Sequence, residues 1–293
     1  MIKMSEMKLI KGGTFLVGTN RNYGFPQDLE GPQISVKIND FKIATTPVTY
    51  QEFSDFVGAT GYITDSEKFG WSVVFQGLLS EKAQQKFEAI KETPWWYVVD
   101  GANWKYPYGP LEEYDTQQMG ELPVTQVSRN DALAYCEWAK KRLPSEIEWE
   151  IAAKGGTNSE LFPWGKEPVI NGKYNVNIWE GKFPYENDLT DGFLGPAPVK
   201  TFQPNGYGLY QMIGNVWEWC LNPSKIPLSR LAKYDSTFFT SKYNKADNLE
   251  YAIRGGSFLC HDSYCKRYRI SARNGNSADS GSCNLGFRCA ESI

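Results

Sequence analysis

The stretch that most restricts the fold runs from Arg254 to Ala290 and reads RGGSFLCHDSYCKRYRISARNGNSADSGSCNLGFRCA. At its centre, four residues separate Cys260 from Cys265, and several basic residues follow. Nearby positive charge lowers the pKa of a thiol and so favours the thiolate. The spacing alone is compatible with a structural disulfide, with half of a metal site or with two unrelated thiols. If a metal binds, two soft thiolates suit linear Cu(I) better than tetrahedral zinc.

The composition around this stretch is that of an ordinary globular protein. Of the 293 residues, 22% are charged and 41% hydrophobic, and the net charge is -3. The missing basic surplus argues against nucleic-acid binding, and no apolar run is long enough to span a membrane. The N-terminal sequence MIKMSEMKLIKGG lacks the apolar core of a secretory signal, so we expect a cytoplasmic protein.

The chain contains a single histidine, His261. A zinc or iron site with three histidines therefore cannot be built within one chain, and neither can the two-histidine facial triad of non-haem iron oxygenases. If the protein handles a redox metal, cysteine must supply the ligands.

Helical patterns are confined to the first half of the chain. Capping residues and apolar spacing predict helices from Thr49 to Val57, from Ser80 to Ile90 and from Ser128 to Lys140, and a shorter one beginning at Ser145, where SEIE fits a capping box. After Gly155, short apolar runs alternate with Pro, Gly and Asn, which predicts turns and short strands. We therefore predict one α+β domain over residues 1–293 with little regular secondary structure.

From end to end, the sequence resembles the formylglycine-generating enzyme family, also called the sulfatase-modifying factors. The resemblance runs through GGTFLVGTN, PVTYQEFSDFVGATGY, KFGWSVVFQGLLS, VSRNDALAYCEWAKKRLPSEIEWEIAAKGG and NGYGLYQMIGNVWEW to the closing segment. Many proteins share RGGS and GFR, but far fewer keep both cysteines of CHxSYC. The resemblance implies this family's loop-rich fold, within the C-type-lectin-like superfamily.

The resemblance also implies an activity. Cys260 and Cys265 would hold Cu(I), and molecular oxygen would oxidise a cysteine in an unfolded sulfatase segment with a C-x-P-x-R core. The product would be Cα-formylglycine. The alternative is a binding module on the same scaffold, without chemistry. The iron-dependent sulfoxide synthases on this scaffold need a histidine triad, which a single histidine excludes. We expect a monomer that binds neither nucleic acid nor membranes.

Four further residues match positions near the family's active site. Ser257 and Asn284 would position substrate or oxygen by hydrogen bonding, while Trp217 and Tyr264 would line the pocket and exclude water. Plain core packing is the other interpretation of Trp217, and a turn hydroxyl that of Ser257. For His261 we favour a supporting or structural role, because neighbouring side chains in an extended segment point in opposite directions.

The family also binds calcium, and matching segments are present. The first implied site consists of Asn177, Asp191 and the carbonyls of Ile178 and Phe193. The second consists of Glu218, the carbonyls of Gly214 and Val216, and Gln211 in place of the usual Asn. Hard oxygen ligands on irregular loops are typical of calcium sites. The alternative is that these acids are solvated or cap helices.

Other positions depart from the family pattern. Cys136 and Cys289 match a pair that is disulfide-bonded in secretory-pathway relatives, whereas a second pair is replaced by Ala153 and Ile270. This combination fits a bacterial or cytoplasmic protein with reduced thiols. We expect the remaining cysteines, Cys220 and Cys283, to be buried and free. Arg129 stands where the family has tryptophan, which predicts either a loss of packing or a surface contact. The preceding LPVTQ lacks the customary histidines.

Overall fold

The computed structural model describes residues 4–245, 247 and 249–293, and for residues 116 and 117 the backbone only. The helices are α1 Tyr50–Thr60, α2 Asp65–Phe69, α3 Glu81–Lys86, α4 Thr116–Met119, α5 Arg129–Trp138, α6 Glu146–Lys154, α7 Leu228–Leu231 and α8 Ser236–Tyr243. The strands are β1 Met7–Ile10, β2 Gly13–Val17, β3 Ile34–Ile38, β4 Phe41–Ala44, β5 Trp71–Phe75, β6 Glu88–Ile90, β7 Thr93–Asp100, β8 Val169–Ile170, β9 Lys173–Tyr174, β10 Gly181–Lys182, β11 Glu186–Asn187, β12 Trp217–Pro223, β13 Glu250–Arg254, β14 Asn274–Ser277, β15 Leu285–Gly286 and β16 Ala290–Ser292. None of these described helices has the length and apolar character needed to cross a membrane.

Capping boxes begin the principal helices, as the sequence predicts. Thr49, Ser128 and Ser145 each cap a helix, and in each case the carboxylate three positions later accepts a hydrogen bond from the cap's backbone N–H. These three helix starts are confirmed. Helix α1 continues past the predicted end to Thr60 and stops at Gly61, whose φ of 66° closes the last turn.

The helix predicted from Ser80 to Ile90 is correct only in its first half. Ser80 caps α3 through the N–H of Ala83, but the helix ends at Lys86. The following residues, Glu88–Ile90, form a strand that pairs with β7. Strand pairing there overrides local helix propensity, because tertiary context outweighs a preference of a few tenths of a kcal/mol per residue.

Two sheets carry the parts of the chain that matter for function. One has the strand order β5-β7-β6, and the other has the order β14-β13-β12-β15, in which only the β12–β15 pairing is parallel. A third sheet, β1-β4-β16, brings the two ends of the chain together. Long irregular segments link these sheets, so the observed fold is the predicted loop-rich, mixed α/β single domain.

The core consists of two hydrophobic clusters. The larger cluster surrounds the fully buried Trp149 and Trp219. It joins residues of α1, α5 and α6 to the sheet β14-β13-β12-β15. The smaller includes Phe75, Trp179 and Phe258 and lies beneath the cysteine segment. The loop-rich half is thus anchored by buried aromatic side chains.

Buried arginines join the C-terminal motifs to this core. Arg254 of the RGGS motif pairs with Glu150 of α6 at 2.7 Å, and Arg288 of the GFR motif pairs with Glu218 of β12 at 2.6 Å. Both guanidinium groups are fully buried. Removing one partner from such a pair leaves an uncompensated buried charge, which costs about 3–5 kcal/mol. The arginines of these two motifs therefore have a structural role.

Arg129 differs from its sequence-based prediction. It is neither on the surface nor a packing defect. The residue is 0% exposed, and all three guanidinium nitrogens donate hydrogen bonds. The guanidinium donates hydrogen bonds to the carbonyls of Leu221 and Tyr243, at 2.8 and 2.6 Å. The planar guanidinium thereby holds the end of α8 against β12.

Candidate active site

Two glycines make the turn that presents the cysteine segment. Gly255 and Gly256 directly follow β13 and have φ values of 96° and 76°. A Cβ atom on Gly256 would lie 2.9 Å from the carbonyl oxygen of Arg267 and from the Cα of Tyr268. Both positions therefore require glycine, for its backbone freedom and for the close approach of the returning chain. The turn places Gly256, just before the cysteine pair, beside Arg267 and Tyr268, just after it.

Cys260 and Cys265 are joined by a disulfide bond, with their Cα atoms 5.4 Å apart. Backbone N–H groups approach both sulfur atoms: that of Ser257 lies 3.4 Å from Cys260 Sγ and that of Arg267 3.5 Å from Cys265 Sγ. The structure thus excludes two unrelated thiols. The thiolate pair predicted from the sequence exists only after this disulfide has been reduced.

Ser257 and Asn284 form a hydrogen-bonded unit beside the disulfide. The Asn284 side-chain amide donates to the Ser257 hydroxyl at 2.9 Å, and the Ser282 hydroxyl donates to Asn284 Oδ1 at 2.8 Å. The Ser257 hydroxyl also accepts from the N–H of Leu259 at 3.3 Å. The turn-hydroxyl interpretation of Ser257 is therefore correct, and the same hydroxyl also faces the site.

A cavity of about 390 Å³ lies over the disulfide. All six residues predicted for the active site line it: Ser257, Cys260, Cys265, Trp217, Tyr264 and Asn284. The lining also includes apolar residues, among them Val73, Ile90 and Trp96, and polar residues of β14, Asn274 and Asn276. The cavity therefore combines a disulfide-bonded sulfur pair with both apolar and polar lining residues.

The two predicted aromatic residues differ in their surroundings. Trp217 is only 7% exposed and packs in the larger core cluster, so it serves the core as well as the cavity. Tyr264 is 38% exposed and stacks on Phe183, with 4.3 Å between ring centroids. Trp95 meets both rings edge to face. Tyr264 is thus fixed at the cavity mouth by packing on one side only.

The position of His261 does not suit a ligand role beside the two cysteine sulfur atoms. Its Nδ1 atom forms a 2.8 Å hydrogen bond with the Ser263 hydroxyl, and the residue does not line the cavity. Its backbone carbonyl accepts the N–H groups of Tyr264 and Cys265, both at 3.0 Å. This geometry agrees with the predicted structural role, because the histidine closes the turn that carries Cys265.

The residues of the first predicted calcium site converge on a loop where oxygen atoms lack partners. Asn177 Oδ1 and Asp191 Oδ2 are buried without a hydrogen bond, and so is Oε1 of a neighbouring acid, Glu180. Burial, together with the negative charge of Glu180, raises the pKa of Asp191 to about 6. Unpaired buried oxygens of this kind fit a hard cation. Glu180 was missed in the sequence, although it lies only three residues after Asn177.

The second predicted calcium set fits less well. Both carboxylate oxygens of Glu218 accept hydrogen bonds from Arg288, at 2.6 and 2.7 Å, and one also accepts from Trp149. Gln211 does keep a buried Oε1 atom without a partner. Because Glu218 is neutralised by an arginine, this set lacks a free carboxylate. Across the described residues, no three His, Cys, Asp or Glu side chains are arranged to share a metal ion.

The remaining four cysteines are buried and free. The sulfur atoms of Cys136 and Cys289 lie 3.7 Å apart without a disulfide, as expected for reduced thiols. Cys220 and Cys283 have no disulfide partner, which confirms the prediction. Burial raises the pKa of Cys283 to about 12, so this thiol is inert at neutral pH.

This fold and cavity define a class of loop-rich, mixed α/β proteins that present a cysteine pair in a substrate-sized cleft. A family profile described as "Sulfatase-modifying factor enzyme 1-like domain" matches residues 2–293. The chain belongs to this family.

Curated relatives and solved structures agree with this assignment. The chain is similar to the formylglycine-generating enzyme of Thermomonospora curvata, at 43% identity covering 97% of this chain and 92% of the relative. It is similar to that of Mus musculus, also at 43%, covering 99% and 76%. The structure of PvdO from Pseudomonas aeruginosa shares the fold, with a TM-score of 0.67 at 24% identity, covering 99% of this chain and 95% of PvdO. A Bos taurus relative named inactive C-alpha-formylglycine-generating enzyme 2 is 40% identical over 97% of this chain and 87% of the relative.

Proposed function

We propose that this protein oxidises a cysteine in a C-x-P-x-R segment of a sulfatase to Cα-formylglycine, using molecular oxygen and copper. The observation that carries the proposal is the cavity in which Cys260 and Cys265 lie beside Ser257 and Asn284. The names of the most similar curated relatives support the same activity.

The overall reaction fixes what the site must accommodate. The substrate group CH2–SH and one water become an aldehyde CHO and hydrogen sulfide, with the release of two protons and two electrons. Dioxygen takes up these two protons and two electrons, which gives hydrogen peroxide; two more protons and electrons from an external thiol pair would take it to water. The site must therefore bind a thiol, admit oxygen and water, and remove a hydrogen from the substrate β-carbon.

The two cysteine sulfurs are the donor set that would hold copper. They are adjacent and almost buried, and thiolates are the ligands that Cu(I) prefers. When bound, Cu(I) supplies a redox centre for the substrate thiol and oxygen. The disulfide must first be reduced by two electrons, which a cellular thiol can deliver by exchange.

The neighbouring side chains orient the substrate and keep the site dry. The Ser257 hydroxyl accepts hydrogen bonds from Asn284 and from the N–H of Leu259, so its position at the cavity is fixed. Trp217 and the ring of Tyr264 cover apolar surface at the cavity and limit the access of bulk water.

We also propose that calcium binds between Asn177 and Asp191, with the carbonyls of Ile178 and Phe193, and that Glu180 is an additional ligand. The buried oxygens without hydrogen-bond partners support this. The second calcium site, with Gln211, Gly214, Val216 and Glu218, stays a prediction.

A reducing, cytoplasmic location is proposed because Cys136 and Cys289 are unbonded at 3.7 Å. We also propose that the protein acts as a monomer.

The proposal is tested with a peptide containing C-T-P-S-R. Reduced, copper-loaded protein is incubated with the peptide in air and the product is analysed by mass spectrometry. We expect the mass change for replacing SH2 by one oxygen, together with an aldehyde that reacts with a hydrazine probe. The change should vanish without copper, without oxygen and in Cys265→Ser.

Two other results would overturn the proposal. An unchanged peptide with copper bound at both thiols would reject this substrate. An unchanged peptide without copper binding would favour the binding module, a possibility to which the relative named as inactive lends weight.

A further inference from the structure

Two kinds of contact hold the chain on either side of Cys265. On its N-terminal side, a local turn closes on the carbonyl of His261, which accepts the N–H groups of Tyr264 and Cys265, both at 3.0 Å. On its C-terminal side, the side chains of Arg267 and Arg269 reach across to a segment near the start of the chain. The position of Cys265 therefore depends on a contact between distant parts of the chain as well as on its own turn.

Two bidentate ion pairs make this distant contact. Asp28 accepts hydrogen bonds from Nε and Nη2 of Arg267, at 2.7 and 3.1 Å. Glu30 accepts hydrogen bonds from Nη1 and Nη2 of Arg269, at 2.7 and 2.8 Å. Both carboxylates are buried, and a guanidinium fork fits a carboxylate in one planar orientation. The two pairs, called the carboxylate clamp below, therefore fix the flank of Cys265 in position and in orientation.

The acidic segment of the clamp is itself anchored to the core. The carbonyl of Leu29 accepts a hydrogen bond from Arg273 at 2.9 Å, and the same guanidinium pairs with Glu146 of α6 at 2.7 Å. The guanidinium of Arg267 also lies 4.5 Å from the centroid of the Phe25 ring, which adds a cation–π contact. The clamp therefore connects the flank of Cys265 to a buried helix.

The clamp reaches the cysteine site through Arg267. This residue lines the cavity, and its main-chain N–H lies 3.5 Å from Cys265 Sγ. Because Asp28 already occupies two nitrogens of the guanidinium, fixing the side chain also fixes the main-chain group beside the sulfur.

The clamp matters most when the disulfide is open. The bond itself holds the two Cα atoms 5.4 Å apart, but the proposed copper site needs both sulfurs as free thiols. Two thiols held side by side bind a metal ion, or re-form a disulfide, more readily than two thiols on a loosened segment, because less conformational entropy is lost. The clamp supplies this constraint without the bond.

We propose that Asp28 and Glu30 are positioning residues that keep Cys265 beside Cys260 after the disulfide has been reduced. Neither acid is among the residues that line the cavity over the disulfide, so both act through the two arginines. This inference rests on the proposed function only for the use that the reduced pair serves.

The first test measures the equilibrium of the disulfide with glutathione, without copper or peptide. One protein disulfide and two glutathione thiols give two protein thiols and one glutathione disulfide, and alkylation followed by mass spectrometry gives the ratio. In Asp28→Asn the reduced segment is freer, so we expect the equilibrium constant for reduction to increase about tenfold. Arg267→Gln breaks the same pair from the other side and should shift the equilibrium in the same direction.

The two variants together separate the clamp from a simple effect of charge. Asp28→Asn leaves a guanidinium without its counter-ion, and the charge of this group favours thiolates, whereas Arg267→Gln removes that charge. Shifts in opposite directions would therefore overturn the proposal, and so would an unchanged equilibrium in both variants.

Glu148→Gln is the matched control. It breaks another buried bidentate pair, with Arg142 at 2.7 and 2.8 Å, and neither residue lines the cysteine cavity. This variant should lower the unfolding free energy and leave the glutathione equilibrium unchanged. A shift as large as that of Asp28→Asn would assign the effect to general destabilisation and reject the clamp.

A double variant keeps the test decisive if the single variants are too unstable. Each single substitution leaves one buried group without its ionic partner, whereas Asp28→Ala/Arg267→Ala removes both partners. Since both substitutions remove the same contact, the double variant should show about the same tenfold shift as one substitution. A wild-type equilibrium in the folded double variant would contradict the proposal.

Copper binding distinguishes this proposal from the proposed function. The reduced proteins are titrated with Cu(I) in competition with a chromogenic chelator, and Asp28→Asn should bind about tenfold more weakly than wild type and Glu148→Gln equally well. If the wild type binds no copper, the proposed function fails, while a shifted glutathione equilibrium still supports the clamp. If the wild type oxidises the peptide but Asp28→Asn changes neither the equilibrium nor the copper affinity, the clamp is rejected and the oxidase stands.

Discussion

The guanidinium of Arg129 lies over the ring of Tyr251, 3.4 Å from its centroid, in the interior of the protein. Carbonyl oxygens accept its hydrogen bonds: those of Cys220, Leu221, Tyr243 and Lys245. Burial lowers the pKa of Arg129 to about 10, so it stays charged at neutral pH. A fully buried cation is thus stabilised by main-chain dipoles and an aromatic face.

Replacing this arginine should destabilise the protein strongly. In Arg129→Leu the buried carbonyls lose their donors and the Tyr251 ring loses its cation, which we expect to cost about 2–4 kcal/mol of unfolding free energy. Urea denaturation followed by tryptophan fluorescence measures the loss. Arg230→Leu, at an exposed position of α7, is the control and should change stability by less than about 0.5 kcal/mol. Equal effects of the two substitutions would contradict the role assigned to Arg129.

Thiol counting tests the state of the cysteines. Denatured without reductant, the wild-type protein should be alkylated at the four cysteines that are free in the structure, and after reduction at all six in the sequence. Cys260→Ser should free its partner, so Cys265 becomes alkylated without reduction. Cys220→Ala should remove one site but leave the disulfide intact. Peptide mapping by mass spectrometry identifies each site, and alkylated Cys265 in the non-reduced wild type would disprove the disulfide.

Calcium should stabilise the protein through the loop of Asn177 and Asp191. A ligand that binds only the folded state at about a hundred times its dissociation constant adds about 2.7 kcal/mol. We therefore expect calcium to raise the melting temperature of the wild-type protein measured by scanning calorimetry. Asp191→Asn removes one of the two carboxylates proposed for the site, the other being Glu180, and should abolish most of the increase.

Asp188→Asn is the matched control for this measurement. Asp188 lies in the same loop but is exposed, so its loss should leave the calcium effect intact. A calcium-induced shift that survives in Asp191→Asn would place the ion elsewhere.

Stability should depend on pH through Asp131, at the N-terminus of α5. Burial, reinforced by the charge of Asp65, raises the pKa of Asp131 to about 7. The folded state then holds a proton that the unfolded state releases near pH 4, so unfolding free energy decreases as pH rises between about 4 and 7. Asp131→Asn should flatten this dependence, measured by urea denaturation across that range. Asp100→Asn, at an exposed site, should retain the wild-type slope.

Features set by neighbours in the sequence were predictable. The caps at Thr49, Ser128 and Ser145 were predictable because an N-cap is a Ser or Thr directly before a helical pattern, and at Ser145 the sequence SEIE completes a capping box within four residues. The six cavity residues were identified because they belong to segments that resemble a known family. The loop-rich character followed from the density of Gly, Pro and Asn after residue 155.

Features set by contacts between distant segments of the chain were not predictable from the sequence. The strand Glu88–Ile90 was assigned to a helix because its pairing with β7 has no local signature. Arg129 was placed at the surface, or taken as a packing loss, because its four carbonyl partners come from segments about 90 to 120 positions away, a separation that local patterns do not reveal. Glu180 was missed for a similar reason, since only folding buries its Oε1 atom without a partner.

The sequence by itself determined the family, three helix starts and a set of residues that line one cavity, because short motifs encode local geometry and residue type. Only the tertiary structure decided that Cys260 and Cys265 are bonded, that Glu218 is neutralised by Arg288 and that residues of all four strands of the sheet β14-β13-β12-β15 line the cavity. These facts depend on which distant segments meet. Burial and pairing arise from packing across the whole chain, and no local stretch of residues specifies them.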